Sequence, residues 1–96
     1  MNLVVTYDVS TLTVAGKRRL RRVAKICEGY GQRVQYSVFE VTCSKSDLAK
    51  LLHKLEEVIE SKEDSLRLYP IHSEDFNAVI RLGESQNLPH DQAWTL

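Results

Sequence analysis

The stretch QRVQYSVFEVTC, residues 32–43, decides the fold. Val34, Tyr36, Val38, Phe39, Val41 and Thr42 are strand formers, and the run alternates between polar and apolar side chains. It is longer than the usual strand of about five or six residues. It therefore reads as two short strands meeting near Tyr36-Ser37, with one long bent strand as the alternative. No glycine marks the junction, which argues against a tight primed hairpin turn.

Upstream lies NLVVTYD, residues 2–8. Leu3, Val4, Val5, Thr6 and Tyr7 are mostly β-branched, aromatic or apolar, so the run reads as a strand buried on both faces and central in a sheet. It stops at a carboxylate, Asp8. Val9–Thr13 reads as a loop in which Thr11 or Thr13 caps the following helix. That helix is predicted from Val14 to Glu28. Gly16, Leu20, Val23, Ala24 and Cys27 recur at three- and four-residue spacing and form its buried face. Lys17, Arg18, Arg21, Arg22 and Lys25 form a single stripe opposite, with Arg19 nearby. Gly29 is expected to end the helix in the left-handed conformation open to glycine.

Downstream, Ser44 or Ser46 caps a second helix, with Asp47 in its first turn, where the helix dipole favours an acid. Leu48, Leu51, Leu52, Leu55, Val58 and Ile59 form its predicted buried stripe, and residues 60–64 (ESKED) end it. Ser65–Ile71 reads as a strand that is at an edge or ending, because Pro70 has no N–H for a ladder. Ala78–Leu82, closed by Gly83, reads as a fifth strand or a short helical turn. The order is β–α–β–β–α–β with an additional C-terminal strand. That is the split βαβ pattern of the ferredoxin-like α+β fold, an antiparallel sheet with both helices on one face. Residues 1–82 make the domain, and 83–96 form a tail whose Trp94 is expected to dock on this chain or a partner. The sheet face away from the helices has no cover from this chain, and a second copy is the expected cover.

Composition is that of a globular domain, with 43% hydrophobic and 27% charged residues. The longest apolar run is far shorter than the roughly 20 residues of a membrane helix, so no membrane association is expected. No leader pattern precedes the first strand, and a cytoplasmic location is expected. Formal net charge is zero but unevenly spread. Residues 1–43 hold seven Lys/Arg and three Asp/Glu, a balance of +4; residues 44–96 hold six and ten, a balance of −4. Such asymmetry suits one face to an anionic partner, although two solvated helices also produce it.

Asp8 is the candidate for chemistry. A buried strand that delivers an acid to its C-terminal end places a metal ligand or a general base, or merely starts a loop. Magnesium wants oxygen ligands, usually one or two carboxylates and several waters, so one Asp per chain is thin. Two Asp8 carboxylates across a two-fold axis would share one ion. The five-cation stripe suits phosphate contacts, because a solvated helix face normally mixes signs, and this one has no acid until Glu28. Arg33 is the further candidate for nucleic-acid binding. Backbone and shape recognition is expected, since no aromatic platform accompanies the arginines. Ser10 is a candidate for a contact to the metal. Tyr7, Tyr36 and Phe39 are core, interface or neighbours of the site. Cys27 and Cys43 read as small buried apolar residues, and His53, His72 and His90 as surface. No glycine-rich phosphate loop, CxxC or Ser-His-Asp arrangement is present.

The chain resembles a known family at VVTYDV (4–9), GKRRLRRVAKIC (16–27), YGQRVQYSVFE (30–40) and DSLRLYPI (64–71). That family is the small CRISPR-associated endonucleases, the smaller of the two proteins universal to spacer acquisition. Gly31, Arg33, Gln35, Ser37, Val38, Phe39 and Glu40 carry the most specific part, and the resemblance covers about residues 1–82. It implies a ferredoxin-like homodimer formed across the open sheet face, with the C-terminal strand crossing to the partner's sheet. It implies that Asp8 is a ligand of Mg2+, or of Mn2+, near the dimer axis. It further implies endonuclease activity on RNA or double-stranded DNA, with a larger integrase as partner. A non-catalytic scaffold that holds duplex DNA and bridges integrase dimers is the alternative. A ferredoxin-like regulatory or toxin-type RNase module is a third, generic reading.

Overall fold

The computed structural model describes residues 1–9, 13–72 and 76–83. The elements are β1 (Asn2–Asp8), α1 (Val14–Glu28), β2 (Gly31–Gln35), β3 (Val38–Thr42), α2 (Lys45–Val58) and β4 (Ser65–Ile71), followed by a 3-10 turn at Phe76–Ala78. The sheet order is β2-β3-β1-β4. β1 is central and antiparallel to both neighbours. The fold is thus α+β and ferredoxin-like.

Residues 32–43 form two strands, and the chain reverses at Tyr36-Ser37 between the paired residues Gln35 and Val38. No non-glycine residue among those described has a positive φ, so this two-residue connection is not a primed turn. The ladder accommodates it by a register shift between Arg33 and Gln35. At the far end of β2, a Cβ on Gly31 would lie 2.0 Å from the Glu40 carbonyl oxygen and 2.7 Å from Val41 Cα. Only glycine lets β2 approach β3 there.

Strand alternation divides the sheet into two chemistries. Leu3, Val5 and Tyr7 of β1, with Phe39 and Val41 of β3 and Cys43 just beyond it, are buried against the helices. The helices contribute Leu20, Val23, Ala24 and Cys27 from α1 and Leu51, Leu55 and Val58 from α2. Val4, Thr6 and Asp8 alternate with the core residues of β1 and share the other face with their partners Glu40, Val38, Tyr69, Arg67 and Ser65. The helices leave that face bare.

Thr13 caps α1, its hydroxyl oxygen accepting from the Gly16 N–H at 3.0 Å. Ser44 caps α2, accepting from the Asp47 N–H at 3.1 Å. Three expectations change. Gly29 ends α1 in the right-handed region, with φ −71, and its N–H bonds the Ile26 carbonyl; a tightened last turn replaces the left-handed cap. Leu52, expected in the buried stripe of α2, is 37% exposed, because the interface is narrower than the six apolar positions and is filled from Leu51, Leu55 and Val58. Val79–Leu82 pairs with no strand among the described residues, and Ile80 and Leu82 are 88% and 94% exposed. The 3-10 turn at Phe76–Ala78 lies upstream and shares only Ala78 with the expected run, so Val79–Leu82 forms neither the strand nor the helical turn. Ser10, Thr11, Trp94, His90 and the tail beyond Gly83 lie outside the described residues.

Candidate functional site

Asp8 is the last residue of β1 and opposes Ser65, the first of β4. It is exposed, and no hydrogen bond or ion pair among the described residues engages its carboxylate. It borders an open depression of about 360 Å³ lined by Thr6, Tyr7, Asp8, Ser37, Ser65, Arg67 and Tyr69. The β2–β3 turn brings Ser37 there, its carbonyl accepting from the Tyr7 N–H at 2.9 Å. β4 contributes every second residue, Ser65, Arg67 and Tyr69. Arg67 Nη1 donates to the Tyr69 hydroxyl at 3.3 Å. That bond favours the charged guanidinium.

The donor set is one carboxylate among hydroxyls, with an arginine alongside. Oxygen donors suit a hard divalent cation, and the guanidinium suits a phosphate. No cluster of three or more metal-ligating side chains occurs among the described residues. The set fits such a cation only with water or a second copy of the chain supplying further oxygens.

Behind the Asp8 rung, on the helix side, lies a second aspartate. The Asp64 side chain is 0% exposed. Its Oδ2 accepts from the Tyr7 hydroxyl at 2.8 Å, Arg19 Nε at 2.9 Å and the Glu60 N–H at 2.9 Å, while Arg19 Nη2 reaches Oδ1 at 3.3 Å. Arg19 Nη2 also donates to Glu63 at 2.9 Å. Burial alone would raise the Asp64 carboxyl; the Glu60 N–H, Arg19 and Tyr7 outweigh it and hold the group below its ordinary value. Burial, then the hydrogen bond to Asp64 and its charge, pushes the Tyr7 phenol well above its ordinary value.

Lys17, Arg18, Arg21, Arg22 and Lys25 are all exposed on the outer side of α1, opposite its buried face. No ion pair or hydrogen bond among the described residues engages any of them. Arg33 stands apart from the stripe. Its Nε donates to the Tyr36 carbonyl at 2.8 Å, Nη2 donates to the same oxygen, and the guanidinium lies over the Tyr36 and Phe39 rings. Burial lowers its pKa. It braces the β2–β3 turn.

Sequence reasoning brought Asp8 and the stripe forward but passed over Asp64, read there only as part of a helix end. Its partners Tyr7 and Arg19 are 57 and 45 residues away, beyond any local pattern. The available signal was Arg19, which falls off the i, i+4 line of the other cations. The alternation of SLRLYPI likewise places Ser65, Arg67 and Tyr69 on the Asp8 face.

Fold and site together define a small ferredoxin-like domain with an unpartnered acid on its bare sheet face and a cationic helix on the other side. The chain belongs to the family of CRISPR associated protein Cas2, whose model matches residues 1–79. It is 52% identical over 91 residues to a protein of Moorella thermoacetica named CRISPR-associated endoribonuclease Cas2 1, covering 95% of each chain. It is 40% identical over 88 residues to the CRISPR-associated endonuclease Cas2 of Halalkalibacterium halodurans, covering 92% of each chain. The crystal structure of Streptococcus pyogenes Cas2 at pH 6.5 matches with a TM-score of 0.81 at 46% identity, over 86% of this chain and 100% of that one. No helix among the described residues is long and apolar enough to cross a membrane.

Proposed function

We propose that the chain is a Mg2+-dependent endonuclease of CRISPR spacer adaptation that works as a homodimer, cleaving phosphodiester bonds in RNA or double-stranded DNA. One observation carries this reading: the Asp8 carboxylate, unengaged by its own chain's described residues, sits on the bare sheet face. A second copy on that face brings a second Asp8. Two carboxylates so placed repel unless a cation or a shared proton intervenes. A bound Mg2+ or Mn2+ lowers the pKa of a water and stabilises charge on a phosphoryl oxygen. Asp8 would hold the cation, the hydroxyls of Thr6, Ser37 and Ser65 would order water, and Arg67 would orient the phosphate. The exposed Ile80 and Leu82, which follow the 3-10 turn, support an exchange of C-terminal segments between copies. The test is cleavage of RNA and duplex DNA with Mg2+: Asp8→Ala should abolish it, and cleavage equal to the parent's would refute the site.

A second reading is favoured by the placement of charge. The cations of α1 and the Asp8 depression lie on opposite sides of the sheet, so a duplex on the stripe does not cover the Asp8 of the same chain. In this reading the dimer is a scaffold that holds duplex DNA on its two α1 surfaces and joins integrase subunits, the tail from residue 83 serving as a docking segment. Arg18, Arg21 and Arg22 changed together to Glu should abolish duplex binding. Retained binding at moderate salt would count against it.

A further inference from the structure

Asp8 ends β1 and Asp64 immediately precedes β4, and their side chains lie on opposite sides of the sheet. Asp8 follows Tyr7 in β1, Asp64 precedes Ser65 in β4, and Asp8 and Ser65 are register partners. The Asp64 carboxylate grips Tyr7 from the helix side and is itself fixed by Arg19 of α1 and the Glu60 N–H. The residues immediately before Asp8 and immediately before Ser65 are therefore tied to each other through one buried oxygen. We propose that Asp64 is a positioning residue for Asp8: it locks the last β1–β4 rung from behind, so that the carboxylate on the open face has a fixed origin.

The ladder alone does not secure that rung. It is the terminal pair between β1 and β4, where strands fray. Asp64 supplies what a strand end lacks, a tertiary bond to each side. All three donors converge on one oxygen, and the side chain is wholly buried. The lock also explains why Arg19, alone among the α1 arginines, is held by acids among the described residues. A loose carboxylate serves a cation poorly, and removing groups that orient metal ligands costs about 10–100-fold in metal affinity or activity.

The inference deepens the nuclease reading, and its test separates the two. Tyr7→Phe deletes one hydroxyl and keeps the ring in the core; Asp64→Asn keeps the shape and loses the charge. The first measurement is amide hydrogen exchange in the metal-free protein. In both variants residues 7–8 and 65–66 should exchange about tenfold faster relative to Leu3–Val5, the local-opening signature. A change spread evenly over β1, or none, would overturn the proposal, because a merely structural role loosens the sheet as a whole. The second measurement is Mg2+-dependent cleavage: kcat should fall about tenfold with KM within about twofold. A parent that shows no Asp8-dependent cleavage defeats the nuclease reading, and the exchange experiment still decides the lock. A parent that cleaves beside variants with unchanged kcat and unchanged rung exchange defeats the lock and leaves the nuclease reading intact.

Discussion

Replacing Arg21 and Arg22 together by glutamine tests which of the chain's arginines meet a polyanion. Seven Lys/Arg lie in residues 1–43, but the structure removes two from consideration. Arg19 is 14% exposed and bound to Asp64 and Glu63, and Arg33 is folded onto the Tyr36 carbonyl. Five remain, on α1. Lys17, Arg21 and Lys25 follow one line of the helix at a rise of about 6 Å per step, and Arg18 and Arg22 run beside them. Each phosphate neutralised on duplex DNA adds about −0.9 to the slope of log K against log salt. The five cations of one copy therefore give a slope no steeper than about −4.5, which loses about 500-fold in affinity between 50 and 200 mM salt.

The double variant should flatten that slope by about 1.8 per copy engaged. Arg33→Gln should leave the slope unchanged and lower stability instead, since it strips the turn of its brace. Fluorescence anisotropy of a labelled duplex over a salt series, with urea melts in parallel, reads both quantities. A slope flattened by about one unit in Arg33→Gln would show that its guanidinium leaves the turn for a phosphate, and would refute the separation of Arg33 from the stripe. An unchanged slope in Arg21→Gln/Arg22→Gln would refute the stripe.

Gly31→Ala should destabilise the fold by more than about 1–3 kcal/mol in urea melts, because the new methyl meets the backbone of Glu40 and Val41 rather than a yielding side chain. Leu51→Ala, at a fully buried α2 position, should cost about 2–5 kcal/mol. Cys27, its thiol pushed up to about 12 by burial, should resist alkylation at pH 8 until the chain is unfolded in urea; rapid labelling of the native protein would contradict its place in the core. The Asp64 carboxyl is held below its ordinary value in the fold, so its contribution to stability is present above the unfolded value of about 3.9 and is lost as pH falls through the lower folded value. The stability gap between parent and Asp64→Asn should accordingly narrow below about pH 4, and a gap independent of pH would mean the charge is not what matters.

Order and type of the elements were legible because each rests on local chemistry. Period-two alternation marks residues 32–43, and three-and-four spacing marks both helices; Thr13 and Ser44 are side chains that bond a nearby N–H. Asp8 was legible because an apolar run stops at it. What sequence left open depends on distance. Leu52 fits the apolar stripe of α2 by spacing, yet only the width of the sheet beneath decides whether it is covered. Arg33 reads as one more cation, and only the turn carbonyl three residues on shows where the guanidinium goes. Gly29 could be foreseen to end α1, but not by which conformation, since right-handed closure also satisfies the last carbonyls.

Asp8 and Asp64 show why residue type alone does not assign an acid its work. They belong to adjacent strand ends and differ by which face of the sheet they use. On the helix side, water is excluded, so an ionised carboxylate persists only if it is hydrogen-bonded in full. Asp64 meets that condition with three donors on one oxygen and is thereby spent on structure. A carboxylate in that state has no capacity for a cation. Asp8 is bound by nothing among the described residues of its own chain, which is the condition a metal ligand must satisfy. The same alternation that gives β1 a core face and an open face thus separates an acid that holds the strand from an acid the strand presents. A change at Asp64 should reach the open face only through Tyr7 and Ser65, so its effect on Asp8 should vanish if that rung is clamped by other means. A disulfide between cysteines placed at Asp8 and Ser65, the register pair of that rung, supplies such a clamp for the exchange measurement. In that background Asp64→Asn should no longer speed exchange at residues 7–8, and persistence of the effect would mean that Asp64 acts by another route.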